Sequence, residues 1–191
     1  MADGAGTPEF VHGLRKTDRA VAYARRMHAG QLRQADGAPF IVHPLEVVTL
    51  LHDAGAPDEV IAAGALHDTL EKTDATTADL TRRFGGRITT LVTAVTEDAS
   101  IPTYAGRKAA LRRQVAGAGP DSLLVFAADK LSKARELRLP GVTARRRRVD
   151  HYRHCLTLLE RELPGSPLVS ALRDELATVP VAKRRKAPAL L

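Results

Sequence analysis

The sequence predicts an all-α protein. Three observations carry that prediction. The apolar content is mostly Ala, Leu and Val, with aromatics at only 4% and no Trp, a composition that suits packed helices better than a β-sandwich. Apolar residues recur at three- and four-residue spacing along most of the chain. No segment alternates convincingly with period two. With 191 residues and 44% hydrophobic content, the chain is sized for one core. The expected organisation is a loose arm over residues 1–15, a single helical domain over 16–179 and a basic, flexible tail over 180–191.

The elements follow in order. Asp18 precedes Ala20, Val21, Ala24 and Met27, which share one helical face. Residues 30–43 break the pattern at Asp36-Gly37 and Pro39 and read as a loop that delivers His43. Pro44 suits the first turn of the next helix, which Gly55 closes. Pro57 and Asp58 open another, expected to run unbroken through Glu71 and Lys72. Thr76-Thr77-Ala78-Asp79 reads as a capping box with Asp in the role of Glu, and its helix ends at Phe84-Gly85. Residues 88–95 are the best strand candidate by composition. Ile88, Leu91, Val92 and Val95 nevertheless fall at helical spacing. Helices over 87–97, 104–116, 121–138, 142–163 and 167–178 complete the set, separated by Gly and Pro pairs.

The net charge is +7 with His neutral, which suits a multiply charged phosphate substrate, nucleic acid or an anionic surface. Two runs hold much of it, Arg145 to Arg148 and Lys183-Arg184-Arg185-Lys186. No basic stretch interleaves with aromatics, so nucleic-acid binding is not expected. The single cysteine, Cys155, excludes an intramolecular disulfide and a Cys-rich zinc site. No apolar stretch approaches the roughly 18 residues of a membrane span, and the start reads as no signal peptide. A cytoplasmic location is the expectation.

Three places carry chemistry. In Ala65-Leu66-His67-Asp68-Thr69-Leu70-Glu71, a helix would put Glu71 on the face of His67 and Asp68. Ionisable groups at the end of so apolar a helix are costly unless paired or metal-bound. A helix end reaching solvent fits the spacing equally well. Asp129 emerges from an apolar run before a cluster of cations, and in isolation it could salt-bridge Lys130 or Arg135. His43 precedes Pro44 and, alone, reads as a polar loop residue. His151, His154 and Cys155 share a face, but no fourth ligand lies nearby and Cys155 reads as core. His28 and His52 read as structural or exposed.

The order His43, then His67-Asp68, then Asp129 resembles the HD-domain superfamily of metal-dependent phosphohydrolases. The likeness is to the hydrolase domain of RelA/SpoT-type proteins and their small stand-alone relatives, the metazoan SpoT homologues. Matching stretches run from about Ala20 to Tyr152 and include Gln31-x-Arg33, Pro39-Phe40-Ile41-x-His43-Pro44, Ala65 to Asp74, Arg107-Lys108 and Ala128-Asp129-Lys130-Leu131. The resemblance implies an HD-type helical bundle and one divalent ion on His43, His67, Asp68 and Asp129. Manganese is the commonest such ion; Fe, Co, Ni, Zn or Mg also suit mixed nitrogen and oxygen ligands. It further implies that Glu71 positions a water or moves its proton, and that the substrate is a guanosine tetra- or pentaphosphate losing its 3′-diphosphate. Arg33, Arg107, Lys108, Arg148 and Tyr152 match positions that meet the nucleotide in relatives.

The chain departs from that pattern at four places. Lys72 stands where the family usually has Asp, and a cation there binds phosphate oxygen rather than acting as a base. Lys133 replaces an Asn, Val42 replaces another, and an Arg-Arg-Lys loop becomes Leu32-Arg33-Gln34. The intact ligand set beside an altered substrate shell leaves three readings: alarmone hydrolysis, action on a different phosphorylated nucleotide or intermediate, or nucleotide binding without catalysis.

Overall fold

The structure is a computed structural model that describes residues 6–142 and 144–179. The first five residues and the basic tail expected over 180–191 lie outside the described residues. Within them the chain is helical, with no named strand and one isolated antiparallel bridge between Leu32 and Pro39.

The expected loose arm is partly wrong. Glu9–Gly13 form a 3₁₀ turn, Val11 is fully buried, and Phe10 stacks on His52 with ring centroids 3.8 Å apart. A buried valine and a stacked ring oppose the chain entropy that would otherwise leave such a segment free.

Helix α1 spans Arg15–Met27 and buries Ala20, Val21 and Ala24. Its exposed first-turn amides are capped from another helix. Asp58, at the start of α3 (Asp58–Leu66), accepts from Lys16 N at 3.0 Å and Thr17 N at 2.9 Å. Helix α2, Val42–Asp53, holds Pro44 in its first turn and ends at Gly55, whose φ of 73° disfavours a side chain. Helices α2 and α3 pack closely at Gly64, where an added Cβ would lie 2.4 Å from Leu51 Cδ1 and 3.2 Å from Val47 Cγ1.

The helix expected through Lys72 instead stops after Leu66. It resumes as the short α4, Thr69–Lys72. Two side chains cause the break. His67 Nδ1 donates to Gly64 O at 2.8 Å and Thr69 Oγ1 donates to Leu66 O at 2.7 Å. Those carbonyls would accept from the Asp68 and Leu70 amides in a continuous helix, so side chains here compete with the ladder.

Thr76 caps α5, Thr77–Phe84, as expected: its Oγ1 accepts from Asp79 N at 3.1 Å, and the Asp79 carboxylate accepts from the Thr76 hydroxyl at 2.9 Å. Helix α6, Gly86–Val95, settles the strand candidate as helix. Helix α7 is Tyr104–Ala116 and α8 is Pro120–Glu136, with Pro120 in its first turn. Helix α9 begins at Arg146 rather than near 142 and runs to Glu162, and α10 is Pro167–Thr178. Helix α8 is the hub, touching α2, α3, α6, α7, α9 and α10. It brings Val125, Phe126, Ala127, Ala128 and Leu131 into the core, and one turn of it faces α2 and α3 together.

Gly64→Ala is expected to force Leu51, itself fully buried, off its packing position. Overpacking of this kind costs about 1–3 kcal/mol. Urea unfolding should show a lower midpoint with an unchanged slope.

Candidate metal centre

His43 lies in the first turn of α2, His67 and Asp68 at the break between α3 and α4, and Asp129 in the middle of α8. The fold brings all four together. His43 Nε2 is 3.0 Å from His67 Nε2, 3.3 Å from Asp129 Oδ1 and 3.6 Å from Asp68 Oδ2. His67 Nε2 is 3.4 Å from Asp68 Oδ2 and 3.5 Å from Asp129 Oδ1. Ligand atoms about 2.1 Å from a shared centre and at right angles lie about 3.0 Å apart, so these spacings fit a single ion. His43, His67 and Asp129 form the tightest triplet, all within 4.8 Å of one another, and Asp68 approaches both imidazoles from the side.

The hydrogen bonds decide which nitrogens face the centre. Ser132 Oγ donates to Glu46 Oε2 at 2.7 Å. Its single hydrogen is thereby used, so it accepts from His43 Nδ1–H at 2.8 Å. Glu46 is held in turn by Arg135 at 3.0 Å. His67 Nδ1–H donates to the Gly64 carbonyl. With both Nδ1 atoms protonated, both Nε2 atoms turn lone pairs toward one point. Asp68 Oδ2 is buried there and accepts no hydrogen bond among the described residues. Buried acceptors facing one another require a cation or a proton between them, so the donor set fits a divalent ion.

In the protein without metal, a proton serves. Burial opposes charge on both imidazoles. It takes His43 down to about 3, helped by Lys133. On His67 the nearby Asp68 and Asp129 carboxylates outweigh burial and raise its pKa to about 10. Asp68 and Asp129 are held well below the usual carboxylate range despite burial. His67 lowers the first and the ammonium of Lys130 the second. Lys130 is itself buried and paired with Asp129.

The centre opens into a cleft of about 890 Å³, lined by eight Lys and Arg side chains and five carboxylates. Glu71 keeps solvent contact at its floor while protein crowds its other sides. That desolvation, with Asp68 and Glu97 nearby, raises its carboxyl. One Glu71 oxygen accepts from the Glu97 amide at 2.6 Å. Lys72 reaches to 3.8 Å from Asp68 Oδ1, and Lys72 and Lys133 each place Nζ about 5.5 Å from the Phe40 ring. Arg33, paired with Asp36, and Lys108, paired with Glu97, also face the cleft, as do Arg148 and Tyr152.

Arg107 is the expected site residue that the fold sends elsewhere. Its guanidinium donates to the carbonyls of Ile101 and Pro102 at 3.0 and 3.2 Å and braces that loop. Sequence reasoning missed Ser132, Glu46, Glu97 and Glu136. Ser132 sits three residues beyond Asp129, a spacing that marks a shared helical face, whereas nothing local marks Glu97. Lys130 had figured only as a salt-bridge option, yet it lines the cleft. Arg145 and Arg147 also line it, although the whole run Arg145 to Arg148 is exposed. His151 Nδ1 accepts from Arg112 at 3.0 Å and lies 3.5 Å from Cys155 Sγ; His154 is exposed and Cys155 buried. His28 is buried against Phe40.

Ser132→Ala should remove the acceptor that holds the His43 tautomer. The expected effect is a 10- to 100-fold weaker metal affinity, read by titration calorimetry. A second outcome follows from His67. Its raised pKa means the imidazole carries a proton at neutral pH and must lose it to become a ligand. Binding of one divalent ion at pH 7–9 should therefore release about one proton. Apparent affinity should rise with pH toward 10, checked by calorimetry in buffers of different ionisation enthalpy.

Known proteins are similar to this chain in sequence and fold. The HD domain family matches residues 20–158. The human guanosine-3′,5′-bis(diphosphate) 3′-pyrophosphohydrolase MESH1 is 39% identical over 121 residues, covering 62% of this chain and 67% of that protein. The GTP pyrophosphokinase of Streptomyces coelicolor is 38% identical over 128 residues, but the chain spans only 15% of its length. The solved structure of a metazoan ortholog of SpoT that hydrolyzes ppGpp superposes with a TM-score of 0.74 at 27% identity, covering 91% of this chain and 97% of that one. The family match extends over most of the chain and encloses His43, His67, Asp68 and Asp129, and the chain belongs to the HD-domain family.

Proposed function

We propose that this chain is a cytoplasmic, metal-dependent pyrophosphohydrolase that removes the 3′-diphosphate of guanosine tetra- or pentaphosphate, with manganese on His43, His67, Asp68 and Asp129. The observation that carries the reading is the convergence of two imidazole lone pairs and an unpartnered carboxylate oxygen at the floor of a cation-lined cleft. The relatives and the solved structure named above, with their stated action on guanosine-3′,5′-bis(diphosphate) or ppGpp, support the choice of substrate. No helix among the described residues is long and apolar enough to cross a membrane.

When bound, such an ion acidifies a water and withdraws charge from a phosphoryl oxygen. The rest falls to the side chains. Glu71 has one oxygen fixed by the Glu97 amide, which leaves the other to orient the attacking water. A carboxyl raised by its surroundings is better matched to taking a proton near neutral pH than an ordinary one. Lys72, Lys108, Lys133, Arg33 and Arg148 hold phosphate oxygens on either side of the centre, and Arg148 does so with a planar fork. Tyr152, buried beside Arg148, offers an apolar face and a hydroxyl to the nucleotide. Lys130, neutralised by Asp129, keeps the ligand carboxylate ionised.

One observation favours a second reading. Lys72 stands 3.8 Å from a ligand carboxylate, where the hydrolases this chain resembles carry Asp. A cation beside the centre suits a phosphate monoester, whose terminal oxygens carry two charges.

A panel of phosphorylated nucleotides with Mn²⁺, scored by the product released, separates the two. Pyrophosphate from guanosine tetraphosphate is the expected result, with Lys72→Asp raising that rate relative to monoester substrates. Phosphate from monoesters, without pyrophosphate, would select the second reading. Metal bound but no product from any substrate would sink both.

A further inference from the structure

Eight Lys and Arg side chains face the cleft. Lys and Arg side chains can only donate, and phosphate oxygens, which only accept, satisfy them. The cleft's five carboxylates are its anionic acceptors, and four are already committed. Asp68 and Asp129 turn to the metal centre. Glu71 accepts from the Glu97 amide. Glu97 is held by Lys108 and faces Arg107 at 3.5 Å.

Glu136 is different. Its Oε1 is buried and accepts no hydrogen bond among the described residues. Lys133 Nζ and His43 Nδ1 are each 3.7 Å away, beyond hydrogen-bond reach, and His43 Nδ1–H is already given to Ser132. Burial raises the carboxyl, against the pull of Lys133 and Arg33. A buried, unsatisfied acceptor is destabilising in the free protein, and a donor from a ligand would relieve it.

Position says what that donor belongs to. Asp129, Lys133 and Glu136 lie at i, i+4 and i+7 on α8, one face about 10 Å long at 1.5 Å per residue. The face presents in order a metal ligand, a phosphate-binding cation and an acceptor. A phosphorylated nucleotide has the matching order: reacting phosphate, then sugar, then base.

We propose that Glu136 is a specificity-determining residue that accepts a hydrogen bond from an O–H or N–H of the nucleoside, so that the cleft distinguishes a nucleotide from a bare polyphosphate. Phosphate oxygens cannot supply that bond, and Glu136 repels them. Carboxylates read ribose hydroxyls in the same way in dinucleotide sites, and a site built to pair a donor discriminates strongly against ligands that lack it. The choice of a guanosine probe rests on the function proposed above; the acceptor role does not.

The test measures binding, not turnover, so that it can fail or succeed independently of the activity. Calorimetry with Mn²⁺, in a Glu71→Gln background that slows hydrolysis, compares guanosine 3′,5′-bisphosphate with inorganic pyrophosphate. Adding Glu136→Leu should weaken the bisphosphate tenfold or more while pyrophosphate binds as well or better. Retained pyrophosphate binding also shows that the variant is folded. Glu136→Gln, which keeps a carbonyl acceptor, should recover part of the lost bisphosphate affinity. Equal weakening of both ligands would make Glu136 a structural prop and overturn the proposal, as would unchanged bisphosphate affinity. The 2′-deoxy and inosine analogues locate the donor. The analogue that binds less tightly than guanosine bisphosphate to the parent protein, but equally to the Glu136→Leu variant, has lost the group Glu136 reads. If both analogues keep their full deficits in the variant, no such bond exists.

Discussion

Two imidazole nitrogens, each made an acceptor by the bond on its far side, face each other 3.0 Å apart inside the bundle. No hydrogen bond can join two lone pairs, and the fold leaves them no other partner but a cation or a proton. The rest of the structure serves that arrangement. At the α3–α4 break His67 and Asp68 both turn inward, His67 Nε2 lying 3.4 Å from Asp68 Oδ2. Gly64 lets α3 approach α2 closely enough to bring His43 within reach. The hub position of α8 places Asp129 against both.

The supporting polar groups are arranged in layers. Ser132 and Glu46 hold His43, and Arg135 holds Glu46. Lys130 compensates Asp129 while stacking its ammonium 4.6 Å from the Phe126 ring. Asp129 and Lys130 thus offset each other's charge, the condition for tolerating charge in a low-dielectric interior. Outside this shell the cleft is strongly cationic, which concentrates a polyanionic ligand near the centre. Two of the same cations, Arg33 and Lys108, are paired with Asp36 and Glu97, which limits self-repulsion in the unliganded protein.

Helix content was legible from the chain. The three-and-four spacing of Ile88, Leu91, Val92 and Val95 outweighed their strand-like chemistry, and Thr76 marked a helix start that the structure contains. The break after Leu66 was not legible, because it depends on side-chain donors finding carbonyls three residues back, a choice that periodicity does not encode. Nor was the packing of residues 9–13, since Val11 shows no pattern until the surface it covers exists.

For the site, sequence alone determined the residue types: two His, two Asp and Glu71, in an order that resembles HD-domain hydrolases. It also showed the altered positions, Lys72 and Lys133 among them. Tertiary structure decided which of these groups meet, that Arg107 props a loop instead of lining the cleft, that Arg145 and Arg147 line it, and that Glu136 carries a buried, unshared oxygen. The physical reason is distance along the chain. Spacing within one helix is set by its 3.6-residue turn and can be read locally. Contacts such as His43 to Ser132, 89 residues apart, exist only once separate helices have packed.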